Sequence, residues 1–174
     1  MFSLVGRSTW SSDVAGNSIF AAIEAGQLDE MRAMVEANPQ TLAFRDESSQ
    51  SPLHLAARLT NAEFIRFLID EGAELESRDE TGRTPLFVAA FFGASSCAEE
   101  LIEAGADTNA PNMIQMTPLH AATVAGNLAM VRLLVRNGAD PSAEMATGQT
   151  PLDLARDTRI TAIAEFLRRS LSTK

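Results

Sequence analysis

The sequence TPLFVAAFFG at residues 84–93, followed by GAD at 105–107, is the unit from which this 174-residue chain is built. A proline followed by leucine recurs every 33 residues, and Gly-Ala recurs at the same interval. The prolines are Pro52, Pro85, Pro118 and Pro151. Two motifs that share one period of this length indicate a repeat architecture, in which similar units stack on one another.

The residue types of the unit predict two short helices. Thr84 has a hydroxyl that can accept from the free N–H groups of a helix start, and Pro85 suits the first helical position. Gly93 can end this helix because it tolerates a left-handed backbone. A second helix is predicted at about 96–104, before Gly105. The Asp-, Asn- and Gly-rich segment that follows is turn material, and one unit must stack on its neighbours to bury both helices.

The repeated motifs point to a known family. SPLHLAA at 51–57, TPLHAA at 117–122 and the Gly-Ala-Asp turns resemble the ankyrin repeat, over about residues 17–170. The resemblance implies an all-α repeat solenoid: an ankyrin-type, curved stack of antiparallel helix pairs joined by β-hairpin or turn fingers. The fingers are expected to project to one side of the stack.

The chain divides into an N-terminal extension at 1–16, which has no clear period, and an ankyrin repeat domain at 17–174. We expect ten helices in five pairs. The first and last pairs are expected to be atypical, because the end repeats of a finite stack need a polar outer face. The predicted repeats are about 17–45, 46–78, 79–111, 112–144 and 145–170, with turn segments at about 45–50, 78–83, 111–116 and 144–149. The core should bury the repeated leucines and alanines, which are Leu53, Leu86, Leu119, Leu152, Ala56, Ala89, Ala122 and Ala155.

Composition argues against several classes of protein. The net charge is −9 and the pI about 4.7, which disfavours binding to nucleic acid, since phosphate contacts need clustered Lys and Arg. No apolar run approaches the roughly 18 residues of a membrane-spanning helix. The first ten residues do not read as a signal peptide, and the single cysteine cannot form an intramolecular disulfide. A cytoplasmic protein without a cofactor is expected.

The reactive side chains do not form a catalytic or metal-binding pattern. His54 and His120 stand two layers apart, whereas zinc ligands must lie about 2 Å from one ion. By resemblance to ankyrin repeats, these histidines hydrogen-bond to neighbouring turns. Cys97 is interpreted as a small buried hydrophobe, not a nucleophile. The acidic residues are expected on outer helix faces without a shared cleft, so no enzyme and no metal site are predicted.

The candidate binding surface is a set of apolar residues at positions where the repeat needs none. Repeats three and four are expected to present these along the inner groove, with Phe92 and Met116 substantially exposed. The alternative is that one or both phenylalanines turn inward to fill space. The predicted partner-binding residues are Arg58, Leu59, Arg83, Phe91, Phe92, Met113, Ile114, Met116 and Val124.

Recognition of another protein through the groove and finger tips is the predicted function. A more specific alternative is an inhibitor or immunity protein that blocks one enzyme. A third is a small-ligand groove, which would require convergent polar groups in one pocket. A monomer is expected, and a homodimer formed through the apolar groove is the alternative.

Overall fold

The structure, a computed structural model, describes residues 19–172. The predicted N-terminal extension at 1–16 lies outside the described residues, as do residues 17–18 and 173–174. Between residues 19 and 172 the chain forms ten α-helices and a short 3-10 helix, with no strand. The prediction of five helix pairs is therefore confirmed, and the fingers between the pairs are turns.

Each pair consists of a first and a second helix. The first helices are α1 (19–24), α3 (Pro52–Arg58), α5 (Pro85–Phe92), α7 (Pro118–Val124) and α9 (Pro151–Asp157). The second helices are α2 (Leu28–Ala37), α4 (Ala62–Asp70), α6 (Ser95–Glu103), α8 (Leu128–Arg136) and α10 (Thr161–Ser172), and the 3-10 helix (Pro39–Ala43) follows α2. Short connections bring the second helix of each pair back alongside the first.

The helices stack like with like. The first helices pack in the order α3, α5, α7, α9, and the second helices in the order α4, α6, α8, α10. Helix α5 shows how the sequence sets each layer. The hydroxyl of Thr84 accepts from the N–H of Phe87 at 3.2 Å, Pro85 occupies the first turn, and Gly93 ends the helix with φ +71°.

A continuous apolar core runs through all five layers. The repeated leucines and alanines predicted for the core are all buried, which confirms that prediction. On the second helices the buried positions are Ile65 and Leu68, Cys97 and Leu101, Val131 and Leu134, and Ile163 and Leu167. No helix in residues 19–172 combines the length and the apolar character needed to cross a bilayer.

In two of the layers a histidine joins the first helix to the finger of the next repeat: His54 in α3 and His120 in α7. The N–H of Ser51 donates to Nδ1 of His54 at 3.1 Å, so the ring proton lies on Nε2, which donates to the carbonyl of Arg83 at 2.8 Å. His120 does the same between the N–H of Thr117 and the carbonyl of Gln149. Burial lowers the pKa of both rings, so both are uncharged at neutral pH. Their hydrogen bonds give them a structural role.

Candidate protein-binding surface

Each of the first three fingers is shaped by one side chain at its base. In repeat three the N–H of Asp79 donates to the carbonyl of Arg83 at 3.1 Å. The carboxylate of Asp79 accepts from the N–H groups of Thr81 and Arg83, each at 2.9 Å. Asp46 and Asn112 make the equivalent bonds in the neighbouring fingers. The tips are therefore held in a fixed conformation before any partner arrives.

The fingers are also bonded to one another. The N–H of Glu80 donates to the carbonyl of Ser48 at 3.0 Å, and the N–H of Met113 donates to the carbonyl of Thr81 at 3.1 Å. The N–H of Ala146 donates to the carbonyl of Ile114 at 3.0 Å. These bonds join four tips into one surface, here called the finger-tip row, which consists of residues 47–48, 80–81, 113–114 and 146–147.

The exposed large hydrophobic side chains of residues 19–172 all lie on the first helices or the finger tips. They are Leu59 (40% exposed), Phe91 (43%), Phe92 (48%), Met113 (70%), Ile114 (51%) and Val124 (42%). Four of them end first helices, namely Leu59, Phe91, Phe92 and Val124, and are here called the helix-end cluster. The rings of Phe91 and Phe92 meet edge to face, with 5.4 Å between their centroids.

The structure divides the predicted groove surface into these two parts. Met113 and Ile114 precede the start of α7, whereas Phe91 and Phe92 lie at the end of α5. The two ends of α5 are about 12 Å apart at 1.5 Å per residue. Phe92 has the exposure expected from the sequence, and the alternative that one or both phenylalanines turn inward is wrong, because both side chains are exposed.

Met116 is a correction to the predicted site. Its side chain is partly buried and packs against the core, so the expectation of substantial exposure was wrong. The backbone explains why. The N–H of Met116 donates to the side-chain oxygen of Asn112 at 2.9 Å, and its carbonyl accepts from the N–H of Asn112 at 2.8 Å. Met116 therefore lies at the base of the finger, beside the core, and not at the tip.

The two arginines of the predicted site differ in role. Arg83 Nε lies 2.7 Å from Asp79 Oδ2, so this side chain braces its own finger. Burial alone would raise the pKa of the Asp79 carboxyl, but the hydrogen bonds from Arg83 and Thr81 together lower it. Arg58 lies 3.9 Å from Glu24, and both side chains face solvent. Exposed pairs of this kind contribute little stability, so Arg58 stays available to a partner.

Comparison with known families agrees with this geometry. A family model described as ankyrin repeats in three copies matches residues 18–112, and a second, described as ankyrin repeats in many copies, matches 101–155. The chain belongs to the ankyrin repeat family. Ankyrin repeats are generally protein–protein interaction modules.

A curated relative is similar to part of this chain. It is a probable E3 ubiquitin-protein ligase, XBOS32, from rice (Oryza sativa subsp. japonica), and is 34% identical over 74 residues. The match covers 42% of this chain and 15% of the rice protein. The similarity therefore concerns less than half of this chain and a small part of a much longer protein.

Three features of the ankyrin array concern its reactive side chains, its possible metal ligands and its clefts. Burial raises the pKa of the Cys97 thiol to about 11, so it is not a thiolate at neutral pH. In residues 19–172 no group of three or more His, Cys, Asp or Glu side chains is arranged to hold a metal ion. A cleft of about 330 Å³ opens beside the 3-10 helix, where Arg45 and Glu74 pair with each other at 3.2 Å.

The residues that shape the fingers were missed by sequence reasoning, although a signal was present. Asp46, Asp79 and Asn112 follow one another at 33-residue steps, like the prolines. Asp and Asn side chains readily accept from backbone N–H groups two residues further on, which makes this spacing a turn signature. The fourth finger has Met145 at the equivalent position, so it lacks the side-chain bonds and keeps the backbone bonds, from the N–H of Met145 to the carbonyl of Gln149 and from the N–H of Gly148 to the carbonyl of Met145.

Proposed function

We propose that this ankyrin array binds another protein through the finger-tip row and the helix-end cluster of repeats two to four. The observation that carries the proposal is the distribution of exposed apolar side chains. All six large ones in residues 19–172 lie on the tips or first-helix ends, and the described second helices have none. Exposed apolar patches of this kind on folded proteins usually mark interaction sites.

The residue types suit a protein interface. Phe and Met are enriched in the buried centres of interfaces, and Met adapts to the shape of a partner. Burial of four large side chains contributes about 6–12 kcal/mol before costs. Association and ordering remove a large part of this gain, so an affinity between micromolar and nanomolar is expected. Arg58 supplies a charged group at the edge of the helix-end cluster.

A capture experiment with paired variants tests the proposal. The immobilised parent chain and two immobilised variants, Met113→Ser/Ile114→Ser and Phe91→Ser/Phe92→Ser, are each incubated with a lysate of the source cell. The proteins that each one captures are identified by mass spectrometry. Both variants should lose the partner while their melting temperatures stay within about 2 °C of the parent, since they change exposed positions. Glu63→Ser/Glu99→Ser, on the exposed face of second helices, is the control and should capture normally.

Two results would contradict the proposal. Equal capture by the parent and both apolar variants would place the contact surface elsewhere. A parent that sediments as a dimer, with monomeric apolar variants, would assign the surface to self-association and not to another protein.

A further inference from the structure

The chemistry of the finger-tip row specifies what kind of partner it accepts. Resting on the proposed function, we infer that the row binds an extended segment of another protein that carries basic residues at one end and apolar residues at the other. The basic residues lie over Glu47 and Glu80, and the apolar residues lie over Met113 and Ile114.

The row changes character half-way along. The first residue of each tip is, in successive fingers, Glu47, Glu80, Met113 and Ala146, and all four residues are exposed. The bonds between fingers keep these residues in consecutive order along one line. The first two tips therefore present carboxylates, and the third presents the most exposed large hydrophobic side chain of the described residues.

The two carboxylates are free to meet a partner. In residues 19–172 neither Glu47 nor Glu80 takes part through its side chain in a hydrogen bond or ion pair. The neighbouring cations are engaged elsewhere. Arg83 pairs with Asp79 and Arg45 pairs with Glu74. Arg78 donates to the carbonyl oxygens of Gly82 and Pro111. A basic side chain from outside would thus meet carboxylates that have no ion-pair partner to give up.

The wider charge distribution favours the same partner and orientation. Residues 19–111 hold 17 Asp and Glu against six Arg, a net charge of −11, whereas residues 112–172 hold five against six, a net charge of +1. Such a field attracts a basic segment to the first half of the array and repels an acidic one. The apolar half of the row lies in residues 112–172, where the net charge is close to zero.

The geometry sets the spacing of the partner's residues. Stacked helices lie about 8–10 Å apart, and the fingers follow the same repeat. An extended chain in the polyproline II conformation advances about 3.1 Å per residue and presents the same face every third residue, about 9 Å further on. A segment that runs along the row therefore meets successive tips with every third residue. The expected pattern is two basic residues three apart, with an apolar residue three further on, in either chain direction.

Selection from a random display library of 12-residue peptides tests this inference without assuming a sequence. Peptides selected on the parent chain should contain the two basic residues and the apolar residue at this spacing. Glu47→Gln/Glu80→Gln should weaken their binding roughly three- to tenfold by fluorescence anisotropy and flatten its dependence on salt. Glu63→Gln/Glu99→Gln removes the same charge from second helices and should change binding less than twofold.

The outcomes separate this inference from the proposed function. Selected peptides that are acidic or uncharged, or that bind Glu47→Gln/Glu80→Gln as tightly as the parent, overturn the inference. If those peptides still fail to bind Met113→Ser/Ile114→Ser, the apolar surface remains a protein-binding site. A selection without enrichment, or self-association that Glu47→Gln/Glu80→Gln abolishes, also overturns the inference, and the capture experiment then decides the proposed function by itself.

Discussion

Repeats two and three form layers with the same backbone but have different residue types at two equivalent positions. The slot between the first helix and the next finger holds His54 in repeat two and the buried Phe87 in repeat three. At the end of the first helix, repeat two places Thr60 in a left-handed conformation with φ +58°, where repeat three has Gly93 at φ +71°. The stack therefore dictates the backbone of a layer, and different side chains can satisfy it.

The two choices have different physical costs. His54 gains two hydrogen bonds between Ser51 and Arg83 but must stay neutral, whereas Phe87 contributes apolar burial that does not depend on pH. A β-branched residue in the left-handed region is a true outlier, since its side chain crowds the backbone. Repeat two thus stores strain and pH sensitivity that repeat three lacks.

The largest expected effect tests what the two repeats share. Leu53 and Leu86 are equivalent and buried, so Leu→Ala at either should cost about 2–5 kcal/mol through lost transfer energy and cavity formation. Urea titration measures the loss. A cost below about 1 kcal/mol at Leu86 would show that its layer does not carry the core.

Gly93→Ala tests the glycine of repeat three. A Cβ there would lie 2.7 Å from Nδ2 of Asn127, the residue that caps α8. We expect the free energy of unfolding, measured by urea titration, to fall by about 1–3 kcal/mol, because alanine is strained in the left-handed conformation and the cap is disturbed. The control is Gly26→Ala, which has nearly the same φ and no atom within 4 Å of the new Cβ. Equal losses for both variants would mean that the contact with Asn127 has no effect.

His54→Phe converts the slot of repeat two to that of repeat three. It leaves the N–H of Ser51 and the carbonyl of Arg83 without their partner, so a cost of about 1–3 kcal/mol at pH 7 is expected in urea titration.

The same variant should also reduce acid sensitivity. Burial lowers the pKa of His54 in the folded chain below its ordinary value of 6.5, so the unfolded chain binds more protons below that pH. Its stabilising contribution is present above pH 6.5 and is lost as the pH falls through the folded pKa. Parent and variant stabilities should therefore converge on acidification. Parallel curves between pH 7 and pH 5 would contradict this account.

The smallest expected effect has the opposite sign. Thr60→Gly gives repeat two the residue type of repeat three, and relief of strain should outweigh the added flexibility of the unfolded chain by about 0.5–1 kcal/mol. Differential scanning fluorimetry should show a melting temperature about 1–4 °C higher. A lower melting temperature would show that contacts of the Thr60 side chain matter more than its backbone conformation.

Much of the fold followed from the period. Once Pro85 and its equivalents were aligned, the capping threonines, the buried leucines and the layer order followed from local chemistry. Helix ends agreed to within a residue or two. The second helix of repeat three, predicted at about 96–104, is Ser95–Glu103. The 3-10 helix Pro39–Ala43 was not predicted, because it falls in the linker before Pro52, where the step from the equivalent Ser18 is 34 residues and not 33.

The candidate surface was less predictable, because exposure depends on packing between layers. Met113 and Met116 are the same residue type in the same finger, yet one is 70% exposed and the other packs against the core. Their difference arises from the bonds between Met116 and Asn112, which a single repeat in isolation does not reveal. The role of Arg83 in bracing its finger depends likewise on the buried carboxylate of Asp79.

The bonds between the finger tips have a consequence for how such a surface changes over evolutionary time. They use only backbone atoms, such as the N–H of Met113 and the carbonyl of Thr81. The side chains of Glu47, Glu80, Met113 and Ala146 therefore take no part in the bonds that join the fingers. Each can mutate separately, so a lineage can acquire a new partner by successive single substitutions. Duplication of one 33-residue unit would add another variable position to the row and leave the existing ones in place.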